Sequence, residues 1–168
     1  MRKPFGVVPP EVPAVRTSLG SAPKFIAAID QMLKALEGGL PEHPFEWLRT
    51  AARQSFLYGF GRDYDDGRGI VTSAKSSLYS HHGVGGGLDV VEKDKTPWNA
   101  PPSFWNDIGD AAEGTGLLKW GGRWRSPDLP HVYYHTLPAS MYGTVGDAIR
   151  ALHAAKGIEA VWAKWGMI

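Results

Sequence analysis

The sequence predicts an α+β domain, with short strands and three or four helices around one core. Three observations predict it. The chain has 168 residues, enough to bury one sizeable core. Its apolar residues recur at helical spacing in some segments and form short runs in others. No internal repeat, low-complexity tract or change of composition divides it.

Each element has its own reason. Residues 1–20 hold four prolines and no clear period, which predicts an extended arm ahead of a domain over 21–168. Ser21 is a candidate N-cap, and Phe25, Ile29, Met32, Leu33 and Leu36 make one apolar helical stripe, ended by Gly38-Gly39. Phe45 to Leu48 reads as a short strand, Ala51 to Phe60 as a second helix stopped by Gly61, and Arg62 to Gly69 as a polar loop. Ile70-Val71-Thr72 reads as a strand, and Leu88-Asp89-Val90-Val91 as a buried one. A polar loop with Pro97, Pro101 and Pro102 follows. Ser103 is then expected to cap a third helix, with Phe104, Trp105, Ile108 and Ala112 inward and Gly116 as its stop. Leu117 to Trp120 and His131 to Tyr134 read as strands. Thr144 is expected to cap a last helical stretch, with Val145, Ile149 and Leu152 inward, broken at Gly157 before Ile158 to Trp165.

Composition excludes several function classes. The net charge of +1 and the scattered basic residues give no electrostatic case for nucleic acid. With no cysteine, disulfides and thiolate metal sites are excluded, so any metal rests on histidine and carboxylate. No apolar run reaches the length of a membrane span. The basic start Met1-Arg2-Lys3-Pro4 is followed by Pro-rich Val7 to Pro13 rather than an apolar h-region, so no signal peptide is expected. The chain is then expected to stay in the cytoplasm, to leave by another route, or to be a mature or excised form.

The chemistry concentrates in two segments. In Ser80-His81-His82-Gly83-Val84-Gly85-Gly86-Gly87-Leu88-Asp89, histidine and aspartate stand seven apart, which a straight strand would point to opposite faces. The glycines between them permit a turn that lets both side chains converge. The alternative is a plain surface loop, and spacing alone leaves His81 and His82 equivalent. In Asp128-Leu129-Pro130-His131, Pro130 makes a rigid lead into a strand, so His131 is well oriented and Asp128 can overhang the site. The alternative is a turn-opening aspartate beside a strand-edge histidine. Two imidazoles, a carboxylate and a spare carboxylate are the parts of a hydrolytic zinc site. Arg49, just before the second helix, can stabilise an oxyanion or simply flank the helix in solvent. Trp120-Gly121-Gly122-Arg123-Trp124 can wall a groove or turn tightly in the core. His43, His135 and His153 show no partner pattern.

Read together, these pieces resemble one family. Ser80-x-His82-x-x-Gly85-x-Gly87-x-Asp89 followed by Asp128-x-Pro130-His131 is similar to the D-alanyl-D-alanine carboxypeptidase family of zinc peptidases, which includes VanY- and VanX-type enzymes and the L-alanyl-D-glutamate endopeptidases of phage endolysins. Arg49-Thr50, Gln54, Leu57-Tyr58, Gly61-Arg62, Ile70-Val71-Thr72-x-Ala74-Lys75 and Glu113-x-x-Gly116-Leu117 also match, and Trp120-Gly121-Gly122-x-Trp124 looks most like the endolysin branch. The likeness spans roughly 45–135. Gly87 stands where the family usually has Ala, and Gly86 where a larger residue is common, which loosens the loop and removes no ligand.

The resemblance implies a short antiparallel sheet flanked by helices, as in D-Ala-D-Ala peptidases and Hedgehog signalling domains. It implies Zn2+ on His82, Asp89 and His131, with Asp128 as general base and Arg49 at the scissile carbonyl. Ser80, Gln54, Arg62, Trp120 and Trp124 would touch substrate. The implied reaction is hydrolysis of the L-Ala-D-Glu bond in the peptidoglycan stem peptide, by a monomer acting at the bacterial cell wall without nucleic acid or membrane insertion. A D-Ala-D-Ala carboxypeptidase or dipeptidase is one alternative, and a non-catalytic Hedgehog-like binding module another. Residues 136–168 match no pattern.

Overall fold

The structure is a computed structural model and describes residues 5–37, 42–93 and 99–168. Among these, strands β1 (Glu42–Glu46), β2 (Gly87–Glu92), β3 (Leu118–Trp120) and β4 (His131–Tyr134) form a sheet in the order β1-β2-β4-β3, with every neighbouring pair antiparallel. Five α-helices accompany it among the described residues: α1 (Pro23–Leu36), α2 (Ala51–Gly59), α3 (Pro102–Gly114), α4 (Thr144–Lys156) and α5 (Ile158–Lys164). This is the expected α+β architecture with an antiparallel sheet.

Alternation along the strands separates core from site. Leu88 and Val90 of β2 and Val132 of β4 are fully buried and join the core cluster. There they meet Phe25, Ile29 and Met32 of α1 and Phe104, Ile108 and Ala112 of α3. Asp89 and His131, one position out of phase, stand on the opposite face. The C-terminal segment belongs to the same core, since Ile149, Val161 and Met167 are fully buried within it. Trp162 of α5 donates its indole N–H to the Val84 carbonyl at 2.7 Å, so this segment also braces the histidine turn.

Several local expectations are corrected. Helices α1 and α3 open on Pro23 and Pro102, with Ala22 and Pro101 as N-caps, so neither Ser21 nor Ser103 caps. Proline suits this position because its φ is preset and its missing N–H has no helical partner to lose. Thr144 is the first helical residue after the cap Gly143, and Val145 is 46% exposed rather than inward. The first strand ends at Glu46 instead of Leu48, because the Trp47 N–H turns to the Val15 carbonyl. Ile70-Val71-Thr72 is not a strand; Ile70 is 64% exposed, and Arg62 takes the Thr72 carbonyl that a ladder would need. The helix stop at Gly38-Gly39 and most of the loop before Pro102 lie outside the described residues.

Residues 5–20 form only an isolated bridge, Gly6 to Tyr64, yet they are tied down. Val12 accepts from Arg53 at 2.7 Å, and Val8 and Val12 pack on Phe56, Leu57 and Phe60.

The glycine run is close-packed rather than loose. Gly85 has φ +70°, which lets the chain turn sharply from a 3-10 turn over His82–Val84 into β2. A Cβ on Gly83 would overlap the Ser77 carbonyl. Gly83→Ala is therefore expected to destabilise the fold by about 1–3 kcal/mol. Thermal unfolding checks this, and an unchanged midpoint would refute the close packing.

Candidate active site

Strand register assembles the site. In the sheet Asp89 lies opposite Glu46 of β1 on one side and His131 of β4 on the other. The turn before β2 brings in His82, which is 1% exposed. Asp89 Oδ1 then stands 3.2 Å from His82 Nε2 and 3.1 Å from His131 Nδ1. The three ligand atoms lie within 4.8 Å of one another, and all three residues are buried.

This donor set fits zinc. Bonds of about 2.0–2.2 Å to a tetrahedral ion leave neighbouring ligand atoms roughly 3.3–3.6 Å apart, close to the 3.2 and 3.1 Å from Asp89 to the two imidazoles. The His82 ring is already oriented for the task. Its Nδ1 is 2.8 Å from the Trp47 carbonyl, which can only accept, so Nδ1 carries a hydrogen and the ring turns Nε2 into the site. Burial pushes the Asp89 carboxyl up. The His82 charge and the hydrogen bonds of His131 and His82 outweigh it and hold Asp89 well below the usual carboxylate range. An ionised carboxylate is the form that binds a cation.

A second charged layer lies behind these three. Buried Glu46 accepts from Arg49 at 2.6 Å and from Arg53 at 2.9 Å. Arg49 also reaches Asp89 Oδ2 at 3.5 Å. The guanidinium is thus held on the cleft wall beside the ligand carboxylate, where it can meet a developing negative charge.

A cleft of about 830 Å³ opens over this face. Arg49, Ser80, His82, Asp89, Asp128 and His131 all line it, with Trp124 at the wall. Asp128 sits on the turn leading into β4, where its N–H bonds the Gly121 carbonyl and its own carbonyl accepts from His131. Its carboxyl is pushed up. Lost contact with water is the main cause, with Asp89 adding to it and His131, His82 and Arg49 opposing. Asp128 keeps an exposed surface, so solvent limits that shift. A carboxylate raised toward neutrality suits proton transfer.

Three residues expected at the substrate lie elsewhere. Gln54 is fully buried and spends its amide on the Ala74 carbonyl and Arg49. Arg62 binds the Tyr58 and Thr72 carbonyls and lies over the Tyr58 ring, bracing the loop before the cleft. Trp120 is a core residue, 4% exposed, with its indole N–H on the Leu129 carbonyl. Ser80 lines the cleft, and its Oγ accepts from the His82 N–H at 3.3 Å.

Sequence reasoning missed Glu46, the Trp47 carbonyl and the ring of His81. His81 is 4% exposed, and burial first, then the His131 charge, hold it well below the usual imidazole range against the Pro138 hydrogen bond. A carboxylate three residues before Arg49 was the one local signal for Glu46. Nothing local signals a carbonyl partner.

Residues 73–134 match the family model described as D-alanyl-D-alanine carboxypeptidase. The family read from the motifs is the family matched. The carboxypeptidase-like segment contains Ser80, His82, Asp89, Asp128 and His131, while Arg49 lies ahead of it. In fold, the chain is similar to the crystal structure of the Serratia marcescens L-Ala D-Glu endopeptidase ChiX. The TM-score is 0.51 at 23% identity, covering 70% of this chain and 82% of that one. No curated protein sequence matches at a significant level. Residues 73–134 are thus similar to a peptidase family, and His82, Asp89 and His131 stand as a group that could hold a metal ion. Among the described residues, no helix is long and apolar enough to cross a membrane.

Proposed function

We propose that the chain is a zinc-dependent peptidase of bacterial peptidoglycan that cuts the stem peptide between L-Ala and D-Glu. The observation that carries the reading is the convergence of His82, Asp89 and His131 in one cleft with Asp128 and Arg49. The L-Ala D-Glu endopeptidase activity of the structural relative supports the choice of bond.

His82, Asp89 and His131 would hold the metal. Bound zinc lowers the pKa of water to about 7 and polarises a carbonyl. Asp128 takes the proton of the attacking water and returns it to the leaving amine. The Arg49 guanidinium, anchored by Glu46, carries part of the charge that develops on the scissile oxygen. Trp124, Ser80 and the exposed side chains of Ile70 and Val71 form the surface on which the peptide lies.

The test is digestion of purified peptidoglycan followed by mass spectrometry of the fragments. The expected result is a new amine on D-Glu, lost on adding chelator and lost in His82→Ala. The description of the matched family supports a second reading, a carboxypeptidase that releases terminal D-Ala through the same residues. Release of D-Ala alone would favour it. Undiminished cleavage by His82→Ala would sink both.

A further inference from the structure

His81 takes no part in the chemistry above, yet its ring is fixed on every side. Nε2 is 2.8 Å from the Pro138 carbonyl and Nδ1 is 3.0 Å from His131 Nε2. The ring stacks on Tyr133 at 4.4 Å between centroids, and Trp124, itself 5.5 Å from Tyr133, packs beside both at 5.8 Å from His81. Such a ring cannot turn without disturbing three neighbours.

The hydrogen bonds have a direction. A carbonyl oxygen can only accept, so His81 Nε2 carries a hydrogen. The neutral imidazole then has a bare Nδ1, which accepts. His131 Nε2 must supply that hydrogen. With Nε2 so engaged, His131 turns Nδ1 into the site, 3.1 Å from Asp89 Oδ1, where a bound cation would take its lone pair.

We propose that His81 is a positioning residue, which holds the His131 ring with Nδ1 turned into the site by accepting from its Nε2. The inference rests on reading His82, Asp89 and His131 as a metal centre. His82 is set by a backbone carbonyl, that of Trp47. His131 has a side chain in that role, itself tied to the Pro138 carbonyl beyond the family-matched segment. Partners of this kind typically change metal affinity by about 10–100-fold.

Two substitutions separate this role from simple packing. In His81→Asn the amide oxygen occupies the place of Nδ1 and still accepts from His131. In His81→Gln the amide nitrogen occupies the place of Nε2, keeps the Pro138 carbonyl and leaves His131 without its acceptor. Zinc dissociation constants of the full chain, measured by competition with a chromophoric chelator, are expected to rise about 10–100-fold for His81→Gln and to stay near wild type for His81→Asn. Equal weakening by both, no weakening by either, or a larger loss in Asn would overturn the proposal. Nitrogen-15 spectra of the histidine rings in the zinc-free wild type give a second readout. A hydrogen is expected on His131 Nε2, and finding Nε2 without one would overturn the proposal even if a variant failed to fold. A wild type that bound no zinc would defeat the metal reading alone, leaving the ring spectrum to decide the role of His81.

Discussion

Asp128→Asn is expected to lower stem-peptide hydrolysis by roughly 10²–10⁴-fold, the usual contribution of a positioned acid-base group. Zinc binding should persist, because the proposed ligands His82, Asp89 and His131 come from the histidine turn, β2 and β4. Steady-state rates and zinc titration on the same variant check both halves. Unchanged turnover would remove Asp128 from the chemistry, and lost metal would make its role structural. The pH profile carries the sign. Asp128 accepts a proton only when ionised, and its pKa is raised above the ordinary 3.8. Activity should therefore fall on acidification through that raised value, and the acid limb attributable to Asp128 should disappear in the asparagine variant.

The second large effect concerns Glu46. Its carboxylate, 3% exposed, lies between Arg49 and Arg53, which are 10% and 8% exposed. Glu46→Gln keeps the shape and removes the charge that compensates two largely buried guanidiniums. Breaking such a pair typically costs about 3–5 kcal/mol. For a chain of this size about 3 kcal/mol lowers the melting midpoint by roughly 6–12 °C. An unchanged midpoint in calorimetry would show that Asp89 and Glu11 suffice for the two arginines. Activity should fall as well, since Arg49 loses its anchor.

Acid should reveal the same group. Burial raises the pKa of Glu46, but the Arg49 charge and hydrogen bond, with the His82 charge, outweigh burial and the Asp89 charge and leave it below 4.5. A folded pKa below the unfolded one contributes stability that is complete above the unfolded value. That contribution is lost as pH falls through the folded value. The stability gap between wild type and Glu46→Gln is therefore expected near neutrality and should narrow below about pH 4.5. A gap that widened in acid would contradict the assignment.

The candidate residues stood out in the sequence. Asp89, Asp128 and His131 were legible because their types and spacings are local, and glycine and proline advertise the turns that aim them, whereas spacing left His81 and His82 equivalent and only the family resemblance chose His82. The helical stripes of Phe25, Ile29 and Met32 and of Phe104, Ile108 and Ala112 were legible for the same reason, since periodicity is local. Trp120 and Trp124 read alike in sequence, and only packing separated the core residue from the cleft wall. Gln54 and Arg62 looked available for substrate until the fold gave them backbone carbonyls to satisfy. Tertiary structure alone decided the support of the site. Strand register set Glu46 and His131 on either side of Asp89, the Trp47 carbonyl oriented His82, and Pro138 and His81 fixed the ring of His131. The physical reason is that a hydrogen-bond partner 35 or 57 residues away leaves no spacing to read. A carbonyl, moreover, is present at every residue, so its selection depends only on where the folded chain puts it.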